Sequence, residues 1–218
     1  MIKKAKDKYT VEVEYDENTG NLISEIWTNK GQLHSKFGAA VTKFDPETGN
    51  KVLEQYYSCG SLFRKDDVGP REMVWDPVNG ICVKECWGGH RSGDKPALTI
   101  RSEITGHIIL EEYRNHFNLS RKPPHPALIE YDPNTGVVVL EERYQNSLLH
   151  GTDERPAIAE YDPETGVAVR EEYWKYGIKH RRRRPAVIHR DRMSGQVTFE
   201  QYFENGVENG VGLPAPRP

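Results

Sequence analysis

A glycine that recurs at a nearly fixed interval constrains this chain more than any other property. The copies stand at Gly20, Gly49, Gly80, Gly106, Gly136, Gly166 and Gly195, with spacings of 29, 31, 26, 30, 30 and 29 residues. Pro126 to Gly136 and Pro156 to Gly166 match almost residue for residue, each carrying Glu-Tyr-Asp-Pro-x-Thr-Gly. A period of this length marks a repeat array, in which each unit gains its burial from its neighbours. Pro214-Ala215 reads as the opening of a further copy.

Each unit has the period of a strand. Five residues after each glycine stands a glutamate: Glu25, Glu54, Glu85, Glu111, Glu141, Glu171 and Glu200. Two residues further on come Trp27, Tyr56, Trp87, Tyr113, Tyr173 and Tyr202, with Arg143 in the fifth unit. Three residues after the glycine the side chain is β-branched: Ile23, Val52, Val83, Ile109, Val139, Val169 or Thr198. Positions three, five and seven share one face of a strand. Asp-Pro-x-Thr-Gly supplies a side-chain acceptor, a preset proline φ and a glycine free to take positive φ, so each unit reads as a β-hairpin. Second weak points follow at Asn29-Lys30-Gly31, Tyr176-Gly177 and Asn205-Gly206. No helical stretch stands out. The expected fold is all-β: an elongated antiparallel meander of seven stacked hairpins, about fourteen strands. It is a single array over 9–215, with a basic tail before it (1–8) and a short tail after it (216–218).

Composition agrees. Hydrophobic residues make up 36% and charged residues 29%, which argues against a deep core. Four Trp, eleven Tyr and six Phe are too many for a disordered chain. The longest aliphatic run, Val137 to Leu140, is far below the ~18 residues of a membrane span. Met1 to Lys8 is basic with no apolar segment behind it, unlike a secretory leader. Three cysteines do not suggest a disulfide framework. A soluble, cytoplasmic protein is expected. The net charge of −3 names no partner class.

Several residue sets invite chemistry and fail on geometry. Equivalent glutamates two strands apart are separated by roughly 10 Å, too far to share a metal. They are expected to accept hydrogen bonds that fix the hairpins, and Arg143 is expected to pair with Glu141. The aromatic column could serve as a stacking platform for bases or peptide prolines, but the favoured reading is the packed seam between hairpins. His34, His150 and His180, each fourteen residues after its glycine, are expected to contact backbone. Cys82 and Cys86 would lie about 13 Å apart on a strand, beyond disulfide reach. Asn118-Leu119-Ser120 matches a glycosylation acceptor but has no leader to give it meaning.

Two segments point to binding. The irregular middle contains Trp87, His90 and Arg91, then Arg114, His116, Phe117, Arg121 and Lys122. Departures from a chain's own rule are where function or strain is expected. The run Arg181, Arg182, Arg183 and Arg184 is the strongest local charge, an anion site or a solvated loop.

The strings Glu25 to His34 (EIWTNKGQLH) and Glu171 to His180 (EEYWKYGIKH) resemble MORN-type repeats, most closely the diverged, antitoxin-type MORN-like repeats. That resemblance implies a non-enzymatic interaction surface, and no catalytic residue carries over; no cofactor or metal is expected. The expected function is a binding module for a protein partner, with inhibition or neutralisation as one version. The rival readings are an anion-surface binder for nucleic acid or acidic lipid, and a structural or self-assembling array.

Overall fold

The computed structural model describes residues 8–65, 67–88 and 95–212. The fold is all-β. Among the described residues there is no helix, and sixteen of the twenty-four strands form an antiparallel meander not closed into a barrel. Spatial order in the meander follows chain order, with the short strand Gln32–Leu33 branching from Leu22–Asn29.

The strand count exceeds the expected fourteen for a local reason. The second weak points close hairpins of their own. Four such ribbons lie off the meander: Tyr57–Ser58 with Ser61–Leu62, Arg114–Asn115 with Asn118–Leu119, Tyr144–Gln145 with Leu148–Leu149, and Trp174–Lys175 with Ile178–Lys179. In each, both central turn residues have positive φ, as at Asn146 (50°) and Ser147 (63°). That geometry matches the right-handed twist of the flanking strands.

The first turn of each repeat is held by its aspartate. Asp132 Oδ1 accepts from the backbone N–H of Asn134 (3.0 Å) and Thr135 (2.8 Å) and from the Thr135 hydroxyl (2.9 Å). Gly136 then takes φ +72° and donates its N–H to the Asp132 carbonyl at 2.8 Å. All seven turn glycines have φ between +69° and +74°. The Thr135 N–H foremost holds the Asp132 carboxyl below its ordinary range, and the corresponding bonds do the same at Asp16, Asp45, Asp162 and Asp191. In the fourth repeat Ser102 takes the position, its hydroxyl accepting from Ile104 and Thr105.

By internal contacts the chain divides into two units, Met1–Gly88 with Ile100–Gly106, and Gly89–Thr99 with His107–Pro218. In the first, turns are tied to their successors: Asn21 and Asn50 donate side-chain N–H bonds to the carbonyls of Pro46 (3.0 Å) and Pro77 (2.7 Å). In the second, the core is thin and built on small residues. Ala127, Ala157 and Ala186 are fully buried, each donating its N–H to the long strand of its own repeat and accepting from the repeat before. Tyr173, Ala186 and Ile188 form its buried cluster, against which Val197 and Phe203 pack.

Both edges of the glutamate question are visible in the second unit. Ile129 pairs with Glu111 on one side and Glu141 on the other, so consecutive glutamates are separated by an apolar side chain. A bulge between Glu130 and Tyr131 then turns the tyrosine back, and its hydroxyl donates to Glu111 at 2.8 Å. Tyr161 repeats the contact on Glu141 at 3.1 Å. Burial, followed by the glutamate charge, pushes the Tyr161 hydroxyl up to about 12. The glutamates also accept from the aromatic column: Tyr56 on Glu54, Tyr113 on Glu111, Tyr202 on Glu200 and the Trp27 indole on Glu25.

Candidate interaction surface

The ribbons stack through their backbones. Ser147 N–H donates to the Leu119 carbonyl, Gly177 to Leu149 and Gly206 to Lys179, each at 2.9 Å. The histidines named by their spacing supply a second tie between repeats. Tyr176 N–H donates to His150 Nδ1 (3.3 Å) and Asn205 N–H to His180 Nδ1 (3.1 Å). The same pair occurs in the first unit, where Cys59 N–H donates to His34 Nδ1 at 3.1 Å and Gly60 N–H to the Leu33 carbonyl. An accepting Nδ1 requires the neutral ring. Burial, with the nearby Lys175 charge, holds His150 below its usual range.

Twelve residues after the turn glycine the ribbon presents an outward side chain, which is apolar in repeats five to seven (Leu148, Ile178 and Val207) and Asn118 in the fourth. Phe117 and Tyr176 stand within the turns themselves. Phe117, Leu148, Tyr176, Ile178 and Val207 are 48–64% exposed. Leu148 Cδ2 lies 3.4 Å from where a Cβ on Gly177 would stand, and Ile178 Cγ2 lies 3.0 Å from the corresponding point on Gly206. In repeats five to seven the side chain of one ribbon therefore leans on the turn of the next, giving an apolar ridge. Exposed contiguous apolar surface marks interaction sites. In the first unit the equivalent positions are Gln32 and Ser61, both polar. The spacing of Leu148, Ile178 and Val207, twelve after each turn glycine, carries the signal, but only the ribbon turn shows that the position faces out.

The residues singled out from the sequence are distributed differently from their order in the chain. His116 and Phe117 occupy the ribbon turn of the fourth repeat, with φ of 47° and 69°, and both are exposed. Arg114 beside them is held by Glu112 (2.9 and 2.5 Å) and the Phe117 carbonyl (3.1 Å). Trp87 is half-buried, and Lys122 is exposed. His90 and Arg91 lie outside the described residues.

The arginine run is split. Arg181 is buried, its guanidinium 3.5 Å from the centre of the Tyr173 ring, with Nε on the Asp153 carbonyl (3.0 Å) and Nη1 on the Pro185 carbonyl (3.2 Å). Arg182 and Arg183 are exposed, and Arg184 pairs with Glu154 at 3.2 Å. Arg121 repeats the Arg181 arrangement, 3.6 Å over Tyr113 and bonded to the Pro126 carbonyl. Arg64 over Tyr56, with its bond to the Pro70 carbonyl, is the copy in the first unit. This lock joins positions seven and fifteen after the turn glycine, and pairwise comparison of repeats could have found it.

No metal site assembles from these parts: the described residues contain no cluster of three or more His, Cys, Asp or Glu placed to hold an ion. No helix among them is long and apolar enough to cross a membrane. Cys82 and Cys86 sit on one strand as free thiols, and Cys59 is exposed. No protein-family model, curated protein or solved structure matches the chain.

Proposed function

We propose that this chain is a non-enzymatic binding module that engages a protein partner through the ribbon ridge of repeats five to seven. The observation that carries the reading is the alignment of Leu148, Ile178 and Val207 along hydrogen-bonded turns, with the exposed Tyr176 in the turn beside Ile178. An apolar stripe on a fixed backbone ladder loses little conformational freedom on binding, which favours affinity. The polar equivalents in the first unit indicate that the repeat itself does not require apolar side chains there. Inhibition or neutralisation of the partner, as the antitoxin-type resemblance implies, is the concrete version put forward.

Lys122, Arg182 and Arg183, which face solvent, support the second reading of an anion surface for nucleic acid or acidic lipid. The two readings separate in one capture experiment from nuclease-treated lysate, washed at low and high salt. Wild type is run beside a ridge variant (Leu148→Glu with Ile178→Glu) and a basic-loop variant (Arg182→Glu with Arg183→Glu). Retention of one protein at high salt, lost only in the ridge variant, is the expected result. Capture that vanishes with salt and with the basic-loop variant supports the anion surface instead, because phosphate contacts weaken steeply with salt. No specific capture by wild type removes both.

A further inference from the structure

The first strand of the sheet, Tyr9–Tyr15, is paired with Leu22–Asn29 on one side, and no described strand covers its other side. Its side chains are those of an internal strand. Val11 stands at the repeat position filled by Ala40, Ala97, Ala127, Ala157 and Ala186, which are at most 2% exposed, and by the half-buried Arg71 in the third repeat. At the position of Val13, Thr99, Ile129, Ala159 and Ile188 are at most 9% exposed, and Thr42 and Met73 are half-buried. Tyr15 corresponds to Tyr131 and Tyr161, whose hydroxyls are bound by the glutamate of the preceding repeat. Here Val11, Val13 and Tyr15 are 40%, 51% and 59% exposed. Edge strands are usually guarded by charge, proline or a bulge placed to break pairing. This one carries valines on the face that other repeats bury, and its bulge falls only at the end, between Glu14 and Tyr15.

We propose that the segment Lys8 to Glu14 pairs antiparallel with the same segment of a second copy of this chain, about a two-fold axis at Val11. The sequence Lys-Tyr-Thr-Val-Glu-Val-Glu complements itself in that register. Val11 faces Val11, Tyr9 faces Val13, Thr10 faces Glu12, and Lys8 faces Glu14 of the second copy. Tyr9, Val11 and Val13 share one face, so the apolar side chains meet apolar ones, while the opposite face carries two Lys–Glu pairs and no like charges opposed. A two-fold interface requires such self-complementarity. Pairing centred on Glu12 would set two carboxylates opposite each other, which is unfavourable. The ridge is not part of this contact, so the inference stands apart from the proposed partner site.

Sedimentation equilibrium of the full chain at low ionic strength tests it, over roughly 1–200 µM, the range suited to weak association. Wild type is expected to show a concentration-dependent dimer, and Val11→Lys, with an unchanged circular dichroism spectrum, a monomer. The register is tested by charge exchange. Lys8→Glu and Glu14→Lys each set like charges opposite and weaken the dimer by about fivefold, while mixing the two variants makes both pairs complementary and restores it. These two exposed substitutions keep the test decisive even where Val11→Lys misfolds. A monomer throughout the range for wild type overturns the proposal. So does a dimer indifferent to both charge variants, or single-variant losses that mixing fails to restore, because each outcome puts association elsewhere, as would pairing with a foreign strand.

Discussion

The fifth and sixth repeats solve the same packing problem with their residues exchanged. In the sixth, Tyr173 lies seven after the turn glycine and Arg181 comes back over it to bind the Pro185 carbonyl. In the fifth, the arginine itself stands at position seven. Arg143 binds the corresponding Pro156 carbonyl (3.1 Å), the Pro124 carbonyl (3.0 Å) and Glu141 (2.8 Å). The position that Arg181 fills is then Gly151, whose N–H makes the same kind of inter-repeat bond, to the Trp174 carbonyl at 2.8 Å. The unit that persists between repeats is thus a guanidinium on a proline carbonyl beside a buried alanine, and either position can deliver it. The exception to the aromatic column is a second route to that contact.

The largest break in this comparison is expected at Gly151. A Cβ there would stand 2.5 Å from the Arg155 carbonyl oxygen and 2.7 Å from the Ala157 nitrogen, both backbone atoms. Gly151→Ala should therefore cost about 2–4 kcal/mol, read as a lower denaturant midpoint. Restoring the sixth-repeat pattern with Arg143→Tyr and Gly151→Arg should not repair the fifth repeat, because the loop leaves no room for the new side chain.

Next comes the split within the arginine run. Arg181→Ala removes the buried, stacked guanidinium and its bonds to the Asp153 and Pro185 carbonyls, for a loss of about 1–3 kcal/mol. Arg182→Ala, one residue away and exposed, should stay within about 0.5 kcal/mol. Equal effects at the two positions in a melting or denaturant series would show that the lock does not hold the repeat. The contrast sharpens the partner test as well, since charge reversal at Arg182 and Arg183 leaves the lock intact.

The smallest effect distinguishes the repeats by pH. His150 is depressed in the fold by burial and by Lys175, so the unfolded chain takes up the proton first as pH falls below about 6.5. The stability tied to the neutral ring is complete above that value and is lost progressively down to the folded pKa. Protonation also removes the Nδ1 acceptor from Tyr176 N–H. Denaturant midpoints between pH 7 and 5 should decline for wild type by a fraction of a kcal/mol more than for His150→Gln, a difference set by one weakened backbone bond. Identical slopes would exclude His150 as the titrating group.

The periodicity of glycine, glutamate and aromatic residues was enough to determine the hairpins, the absence of helices among the described residues and the shared face of positions three, five and seven. Local chemistry carries that information: an aspartate that caps a turn, a glycine with positive φ and alternating side chains act within a few residues of one another. The same local logic placed Arg143 on Glu141 and the loop histidines on backbone, and both contacts are present. What sequence order could not decide was which of neighbouring residues faces inward. Arg181 to Arg184 read as one charged patch, yet the fold buries the first against Tyr173 and pairs the last with Glu154. The apolar ridge was equally hidden, because Leu148, Ile178 and Val207 are thirty and twenty-nine residues apart in the chain and meet only when their ribbons stack. Which side chains remain for a partner depends on those long-range contacts, and only the tertiary structure sets them.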